Sequence, residues 1–595
     1  MTTTSMSPRR RAAGRVIASV LAVALTLFLA MLAWVGFRAV AAQEHLSAAQ
    51  RMAGDLRQTL ASDPTRATAA VDALSAEVSA ARGLVGDPVW NIAETLPWLG
   101  PQLSAAATIT ETLDTVLAGA ARPLAGIAAD GLTSLAPRDG RIDLDALASL
   151  RQPAEAAERV LISASQQVDR IDRAPLIRPL REGVEQVDAM LGEFTTTSAI
   201  LANASELLTA MLGSEGPREY LLLFQNNAEW RALGGIPGAM LTLRTDGGAI
   251  ELATQASSSD FPRLDTPILP LGDEITGIYG DHPGRWIQNV TQIPDFGVAA
   301  PLAREFWQRQ HGDELAGVIA VDPVALSYLL EATGPIDLPT GDTLTAENAV
   351  SLLLNEVYLR YPDPREQDDF FATAAAAVFD RLLDAADPQK LIPALTRVGE
   401  ERRLLVWSAD GGEQEILDGT TLQGALPDSD ADVNRFGVYL NDGTGSKLDY
   451  YMDVGAHATL CTVTPVAATA ALRLELRNGA PDDAATSLPD YIVGTRGETT
   501  IGGTLRGVTR TIAYIYLPEG ASLGTRAAST GEAMEVGTHD GRTVIGWWAD
   551  TAPGETATLD LTANVPTAPR VEVLMTPHVR DAVSPAEPAR CDSGR

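Results

Sequence analysis

Residues 218–244 read REYLLLFQNNAEWRALGGIPGAMLTLR, and this stretch carries the most informative local signals of the fold. An apolar run, residues 220–224, is followed at once by polar side chains and then by the pair Gly234-Gly235. A second apolar run covers residues 239–243. Polar groups at a strand end, beside glycines that allow close backbone approach, are typical of a site in a sheet flanked by helices. The segment therefore predicts two strands with a candidate ligand site between them.

The candidate ligand-binding residues of this turn are Asn226, Asn227, Glu229 and Arg231. A guanidinium group can make two parallel hydrogen bonds to a phosphate or a carboxylate, so Arg231 would clamp an anionic ligand. The alternative is a structural pair between Arg231 and Glu229, with the asparagine side chains bonding to the backbone of the turn.

The N-terminal segment predicts a membrane anchor. Four arginines within residues 1–15 precede an uncharged run, residues 16–37, which Arg38 closes. At about 1.5 Å per residue, a helix of this length spans a hydrocarbon core of about 30 Å. The arginines predict that residues 1–15 stay cytoplasmic and that the remainder of this single-pass protein lies outside. A cleaved signal peptide is the alternative, although the apolar run is longer than usual and residues 39–42 match a cleavage site only loosely.

The charge balance excludes one class of partner. The formal net charge is −32 over 595 residues. Nucleic-acid binding requires a basic surface, so we expect no nucleic-acid partner. The part that follows Arg38 is long enough for about three domains of ordinary size.

The chain as a whole predicts a multidomain α+β protein. Helical periodicity predicts a helical stalk over residues 43–213. Strand and helix signals alternate over residues 216–427, which is typical of an α/β domain. Residues 433–565 predict an Ig-like β-sandwich, and residues 566–595 a loosely ordered tail.

Local signals refine this outline. In the α/β domain, strands are predicted at residues 220–224, 239–243, 250–253 and 315–321, and Asp322 is expected to cap the next helix. In the sandwich, a strictly alternating run ends at Asn478-Gly479, a hairpin turn signal.

The two cysteines are Cys461 and Cys591. An even number of cysteines outside the membrane permits one disulfide, which would hold the C-terminal tail to the last domain. Two free thiols are the alternative, because sequence separation does not determine geometry.

Four stretches carry a family resemblance: REYLLLFQNNAEWRALGG at 218–235, AGVIAVDPVALSYLLEATGPIDLP at 316–339, LNDGTGSKLDYY at 440–451 and PVWNIAETLPWLGPQL at 88–103. They resemble a bacterial envelope family known as domain of unknown function 4012. The resemblance implies an envelope location and this architecture, and it brings no activity with it.

Residues 318–339 are also similar to LytR-CpsA-Psr phosphotransferases, which move glycans from polyprenyl-pyrophosphate carriers onto the cell wall. That similarity implies that arginines, here Arg360 and Arg365, hold the pyrophosphate. It also implies that carboxylates, here Asp363 and Asp368, hold a magnesium ion. The chain departs from that family further on, since Phe370-Phe371-Ala372 stands where the family has an Arg-Gln pair.

Three functions follow as hypotheses. The first is a binding or assembly role in envelope polysaccharide handling, with an envelope glycan or lipid-linked glycan as partner and the membrane contacted through residues 16–37. The second is a divergent phosphotransferase, the only alternative for which a cofactor, Mg²⁺, is expected. The third is a structural spacer or adhesin. The sequence favours a non-enzymatic role, and the test is whether Arg231 converges with Arg360 and Arg365.

Overall fold

The computed structural model describes residues 8–62, 64–128, 134–138, 140–385, 388–464, 468–495, 499–531, 533–580 and 591. Residues 1–7 of the predicted cytoplasmic tail, and most of the chain after residue 580, lie outside these ranges. The chain divides into two compact units. The helical unit comprises Met1–Ala136 and Asp143–Ala210, and the sheet unit comprises Pro137–Ile142 and Met211–Arg595.

The helical unit begins with α1, which runs from Pro8 to Ser62. Its segment Arg15–Asp55 is long and apolar enough to cross a membrane. The predicted span, residues 16–37, lies inside this helix, and the same helix continues past residue 43 into the predicted stalk. The apolar span and the first part of the bundle are therefore one continuous helix.

The described residues of this unit contain further helices. They are α2 (Ala67–Val85), α3 (Pro88–Ala93), α4 (Leu99–Val116), α5 (Arg122–Gly126), α6 (Leu144–Ser149), α7 (Arg151–Asp169) and α8 (Arg178–Met211). A π-helical turn, Leu117–Ala121, joins α4 to α5. The helices bury apolar residues seven positions apart, such as Leu161 and Val168, because that spacing returns to the same helix face.

The helix α2 returns along α1 in the antiparallel direction. Arg38 of α1 donates from Nε to the carbonyl of Leu84 at 2.8 Å. Two turns further along α1, His45 hydrogen-bonds Glu77 at 2.7 Å. Because rising numbers in α1 meet falling numbers in α2, the end of α2 lies beside the end of the apolar span.

The described residues between 218 and 408 of the sheet unit contain the first set of strands. They are β1 (Arg218–Asn226), β2 (Ile236–Asp246), β3 (Ala249–Ser257), β4 (Gly317–Val321), β5 (Ile336–Asp337), β6 (Thr343–Leu344) and β7 (Leu404–Ser408). β5 and β6 pair with each other, and the others form one sheet in the order β3-β2-β1-β4-β7. β1 and β4 are parallel, and the other neighbours are antiparallel. Each of the four strands predicted here is present.

Helices connect these strands. They are α9 (Asp273–Tyr279), α10 (His282–Arg285), α11 (Phe296–His311), α12 (Pro323–Thr333), α13 (Ala349–Ser351), α14 (Val357–Arg360), α15 (Pro364–Ala385), α16 (Pro388–Glu400) and α17 (Gly411–Leu417). The side chains of Leu221, Leu223 and Val318 share a buried core with Phe296 and Trp307 of α11. This core fixes the position of β1 and β4, and hence of the turns at their ends.

Two further sheets follow. Their strands are β8 (Val433–Asp442), β9 (Met452–Val463), β10 (Ala468–Asn478), β11 (Thr509–Tyr516), β12 (Ser522–Ala528), β13 (Ala533–His539), β14 (Arg542–Thr551), β15 (Thr556–Val565) and β16 (Arg570–Met575), with α18 (Ala484–Ser487) and α19 (Asp490–Val493) after β10. The orders are β12-β15-β10-β9 and β13-β14-β11-β8-β16. One core cluster contains Phe436 and Ile515 of one sheet, Leu472 and Leu559 of the other, and Trp230. The protein is therefore a mixed α+β protein with several sheets.

Asn478-Gly479 does not form the predicted hairpin turn. β10 pairs with β9, which precedes it, and with β15, far downstream. The buried amide of Asn478 instead donates to the carbonyls of Gly507 at 3.2 Å and Thr551 at 2.9 Å. The local dipeptide signal fails because distant backbone groups use this side chain.

Part of the predicted loose tail is ordered. β16 pairs in parallel with β8, and the Thr576 hydroxyl donates to the carbonyl of Ala232 at 3.0 Å. A disulfide joins Cys461 and Cys591, whose Cα atoms are 5.1 Å apart. A parallel edge strand has no hairpin partner beside it in sequence, so no local turn signal predicts it.

Candidate functional site

The predicted site lies at the carboxyl ends of β1 and β4. These strands are parallel, with Phe224 opposite Val321, so the residues that follow them meet at one edge of the sheet. The amide of Asn227 donates to Asp322 Oδ2 at 3.1 Å. We call Asn226, Asn227, Glu229, Arg231 and Asp322 the strand-end cluster.

A glycine pair shapes the turn that carries this cluster. Gly234 has a φ of +134°, which L side chains rarely adopt. A Cβ on Gly235 would lie 2.1 Å from the carbonyl oxygen of Asn226. The Gly235 N–H donates to the Gln225 side chain at 3.0 Å. The glycines are therefore needed for the chain to fold back against the end of β1.

One half of the cluster surrounds a buried lysine. Asn226 donates to the Tyr358 hydroxyl at 2.9 Å and to Glu229 at 3.2 Å. Glu229 is ion-paired with Lys447, and both side chains are largely buried. The Lys447 ammonium lies 4.6 Å from the ring centres of both Tyr358 and Tyr491, a cation–π arrangement. Burial alone would lower the pKa of Lys447, but the Glu229 carboxylate raises it above its usual value.

The other half of the cluster surrounds Asp322. Its Oδ1 accepts from the N–H of Ala325 at 2.7 Å, which caps α12 as predicted. Its Oδ2 accepts from Arg403 at 2.7 Å. Arg403 also donates to Glu401 at 2.7 Å and to the carbonyl of His578 at 2.9 Å. Asp322 therefore joins the start of α12 to a residue beyond α16 and to the C-terminal segment.

Residues 215–358, from just before β1 to Tyr358, match a family described as "Protein of unknown function (DUF4012)". This chain carries a DUF4012 segment. The predicted family resemblance is thus confirmed for these residues. No curated protein matches the chain.

Within the DUF4012 segment, Arg231 is bound to other protein groups. Its guanidinium donates twice to Asn289 Oδ1, at 3.0 and 3.2 Å, and to the carbonyl of Trp230 at 2.7 Å. The Arg231–Glu229 pair considered from the sequence is replaced by the Glu229–Lys447 pair. Arg231 also lies near Asp442, whose pKa is raised by burial although the Arg231 charge lowers it.

Arg360 has partners different from those of Arg231. Arg360 pairs with Asp342 at 2.5 Å and with Glu356 at 2.6 Å, and its side chain is 42% exposed. Arg365 is exposed in the first turn of α15. The structure therefore brings Asn226, Asn227, Glu229 and Arg231 onto one turn, and it engages Arg360 elsewhere.

The two candidate metal ligands also lie near the start of α15. Asp363 accepts from the backbone N–H of Arg365 at 3.0 Å. Most of the Asp368 residue is exposed, but its carboxyl group is partly shielded from water. That partial desolvation raises the pKa of Asp368, and the nearby charge of Asp260 raises it further. Within the described ranges, no group of three or more His, Cys, Asp and Glu side chains is placed to hold a metal ion.

A cavity of about 540 Å³ lies where β1 and β4 begin, at the edge of the sheet opposite the strand-end cluster. We call it the edge cavity. Its charged lining residues are Arg218, Glu219, Arg244, Arg304, Glu314 and Asp410. Arg218 is ion-paired with Glu413, and Arg304 donates from Nε to the carbonyl of Leu315 at 2.9 Å. Arg244 is exposed, and its guanidinium donates to no protein group among the described residues.

Sequence reasoning did not identify the long-range partners of the strand-end cluster. Lys447, Tyr358, Arg403 and Asp449 complete it, and Asp449 accepts from the N–H of Trp230 at 2.8 Å. One signal was present: Lys447 is one of only two lysines in the chain. A rare lysine within the apolar and aromatic stretch 440–451 indicates a specific role, but its partner lies 218 residues away.

Proposed function

We propose that this protein is a single-pass membrane protein, with its bulk outside the cytoplasm, that has a binding or assembly role in cell-envelope polysaccharide handling. The anchor is supported by the apolar part of α1. The proposed orientation is supported by the arginines that precede residue 16, since basic residues favour the cytoplasmic side. The envelope location rests on the resemblance stated from the sequence, because the family matched by residues 215–358 is described only as being of unknown function.

The observation that carries the binding role is the edge cavity. Three arginines and three carboxylates contribute to its lining, and the guanidinium of Arg244 has no protein partner among the described residues. Neighbouring hydroxyl groups of a sugar both donate and accept hydrogen bonds, so they match a lining of this mixed kind. We therefore place the glycan in the edge cavity and assign the strand-end cluster to structure.

The test is glycan binding by the full chain in detergent, measured by calorimetry with hexagalacturonate and with uncharged maltohexaose. We expect Arg244→Ala to weaken binding about tenfold, because it removes one charge-assisted interaction of about 1.4 kcal/mol. Arg526→Ala, an exposed arginine on β12, is the matched control and should leave affinity unchanged. Equal affinity of wild type and Arg244→Ala would reject the site, and preference for the uronic-acid oligomer would identify an acidic glycan.

The phosphotransferase alternative has less support. It requires arginines that are available to a pyrophosphate, but Arg231 is bound to Asn289 and Arg360 to two carboxylates. The phosphotransferase alternative would regain support from one result. The purified full chain would have to transfer a glycan from a polyprenyl-pyrophosphate carrier, and Arg360→Ala would have to abolish that transfer. The spacer alternative predicts no glycan affinity at all.

We also infer that the two C-terminal sheets form the predicted Ig-like β-sandwich. The support is their shared core, in which Phe436 and Ile515 of one sheet join Leu472 and Leu559 of the other.

A further inference from the structure

Besides those on α1, large apolar side chains are exposed at one end of the helical unit. Ile92 is 61% exposed, Trp98 is 70% exposed and Ile177 is 45% exposed. Ile92 and Trp98 flank the turn between α3 and α4, and Ile177 precedes α8. Large apolar residues grouped on a surface indicate a contact with a partner or a membrane.

The turn that bears Trp98 is rigidly built. Trp98 has a φ of +66°, a strained conformation for a large side chain. A Cβ on Gly100 would lie 2.0 Å from the carbonyl oxygen of Glu94, so the backbone is closely packed here. A strained residue that holds an exposed tryptophan outward is a reason to look for function at that point.

A buried glutamine joins the two parts of this surface. The Gln102 amide donates to the carbonyls of Trp98 at 3.4 Å and Pro175 at 2.7 Å, and its oxygen accepts from the N–H of Ile177 at 3.0 Å. The turn before α8 is therefore held against the first turn of α4. Ile177 and Trp98 consequently belong to one surface.

That surface lies at the level where the apolar span of α1 ends. Arg38 of α1 pairs with Asp87, and the chain beyond Asp87 packs against Val35 and Met31 through Trp90 and its neighbours. From residue 16 to Val35, a helix rises about 29 Å, close to the thickness of the hydrocarbon core. The turn between α3 and α4 is thus beside the outer boundary of the bilayer that α1 would cross.

We propose that Ile92, Trp98 and Ile177 form a membrane-contact patch that inserts into the headgroup–acyl boundary of that bilayer. The proposal rests on the membrane anchor of the proposed function, and its occupant is the lipid around α1. Tryptophan prefers this boundary because its ring is largely apolar and its N–H is polar. The position of the patch favours lipid over a protein partner, because the patch lies beside the outer end of the apolar span of α1.

The patch would restrict the orientation of the helical unit relative to the membrane. A single helix allows the unit to tilt and rotate, whereas a second contact, off the axis of α1, restricts both motions. The rest of α8 leads away from the bilayer, because Gln186 of α8 meets Gln50 of α1, twelve residues beyond Arg38.

The experiment uses the full chain in phosphatidylcholine–phosphatidylglycerol vesicles, labelled with an environment-sensitive dye at single introduced cysteines. The native pair Cys461 and Cys591 is disulfide-bonded and does not react. The test variants are Trp98→Cys and Ile92→Cys. Ile200→Cys is the matched control, since Ile200 is 60% exposed and lies about 33 Å further along α8. Leu21→Cys, within the span, reports the anchor itself.

We expect lipids with a nitroxide near the headgroup to quench the dye at positions 92 and 98 at least twofold more than at position 200. We also expect iodide in the water to quench positions 92 and 98 less. If position 21 is quenched by lipid but positions 92 and 98 behave like position 200, the patch is wrong and the anchor stands. If position 21 is not quenched, the anchor fails as well. Shielding from iodide without quenching by lipid would show a protein cover and also overturn the proposal.

Circular dichroism of each variant checks that the helices are retained. Ile177→Cys repeats the measurement on the opposite side of Gln102, so the proposal does not depend on the strained turn alone.

Discussion

The two edges of the five-stranded sheet use their charged groups in different ways. At the carboxyl edge, the polar side chains that follow β1 and β4 are largely buried and bound to protein groups from residues 358, 403, 447 and 577. At the opposite edge, the edge cavity is open, and the guanidinium of Arg244 has no protein partner among the described residues. The comparison shows that a cluster of polar residues after a strand marks a packing junction as readily as a ligand site. A packing junction differs from a ligand site in that distant parts of the chain cover its polar residues.

Loss of the buried cation should have the largest effect. Lys447→Met leaves the Glu229 carboxylate buried without its partner, and we expect it to lower the free energy of unfolding by about 3–5 kcal/mol. Urea unfolding of the full chain in detergent measures this. Arg360→Met, which removes a half-exposed ion pair, is the control and should cost less than about 1 kcal/mol. Equal losses would mean that the carboxyl edge is not a structural junction.

A side chain added to the glycine turn at the same edge should cause the next largest loss of stability. In Gly235→Ala, the new Cβ collides with the carbonyl of Asn226, and we expect a loss of about 1–3 kcal/mol in stability. Gly238→Ala is the matched control on β2, because its Cβ would meet the nearest atom at an ordinary 3.7 Å. If the control is as unstable as Gly235→Ala, the turn is not closely packed against β1.

The pH dependence provides a test of smaller size and defined sign. Burial raises the pKa of Asp449 well above its usual value, and the nearby Asp442 charge raises it further. Because the folded state favours the protonated acid, this group stabilises the fold fully at pH values below its unfolded pKa. That stabilisation is lost as the pH rises through the folded pKa. We expect Asp449→Asn, which stays neutral, to gain stability over wild type between pH 4 and pH 7, measured by thermal unfolding.

The exposed Asp482→Asn is the control for this measurement and should show a constant difference from wild type over the same pH range. A constant difference for Asp449→Asn as well would show that Asp449 is charged in the folded protein.

The smallest effect on stability should be at the edge cavity. Arg244→Ala removes an exposed side chain whose guanidinium has no partner among the described residues, so we expect a change within about 0.5 kcal/mol. The same urea measurement applies. A loss of several kcal/mol would assign Arg244 to the structure of the sheet and would remove the contrast between the two edges.

Short-range patterns predicted several features correctly. The strand at residues 220–224, the cap at Asp322 and the apolar helix at residues 16–37 each depend on side chains within one element or one turn of it. The hairpin at Asn478-Gly479 was predicted wrongly, because its asparagine serves Gly507 and Thr551. For the site, the sequence indicated Asn226 to Arg231 but not their partners.

The sequence by itself determined where apolar runs begin and end, since length and period suffice to specify a span or a strand. It also determined the DUF4012 segment, which is a local pattern of residues. Only the tertiary structure decided that Glu229 pairs with Lys447, that β16 lies beside β8, and that the polar turn after β1 is covered. The physical reason is that a charge or an amide takes whichever partner the folded chain brings within about 3 Å, and sequence spacing does not encode that choice.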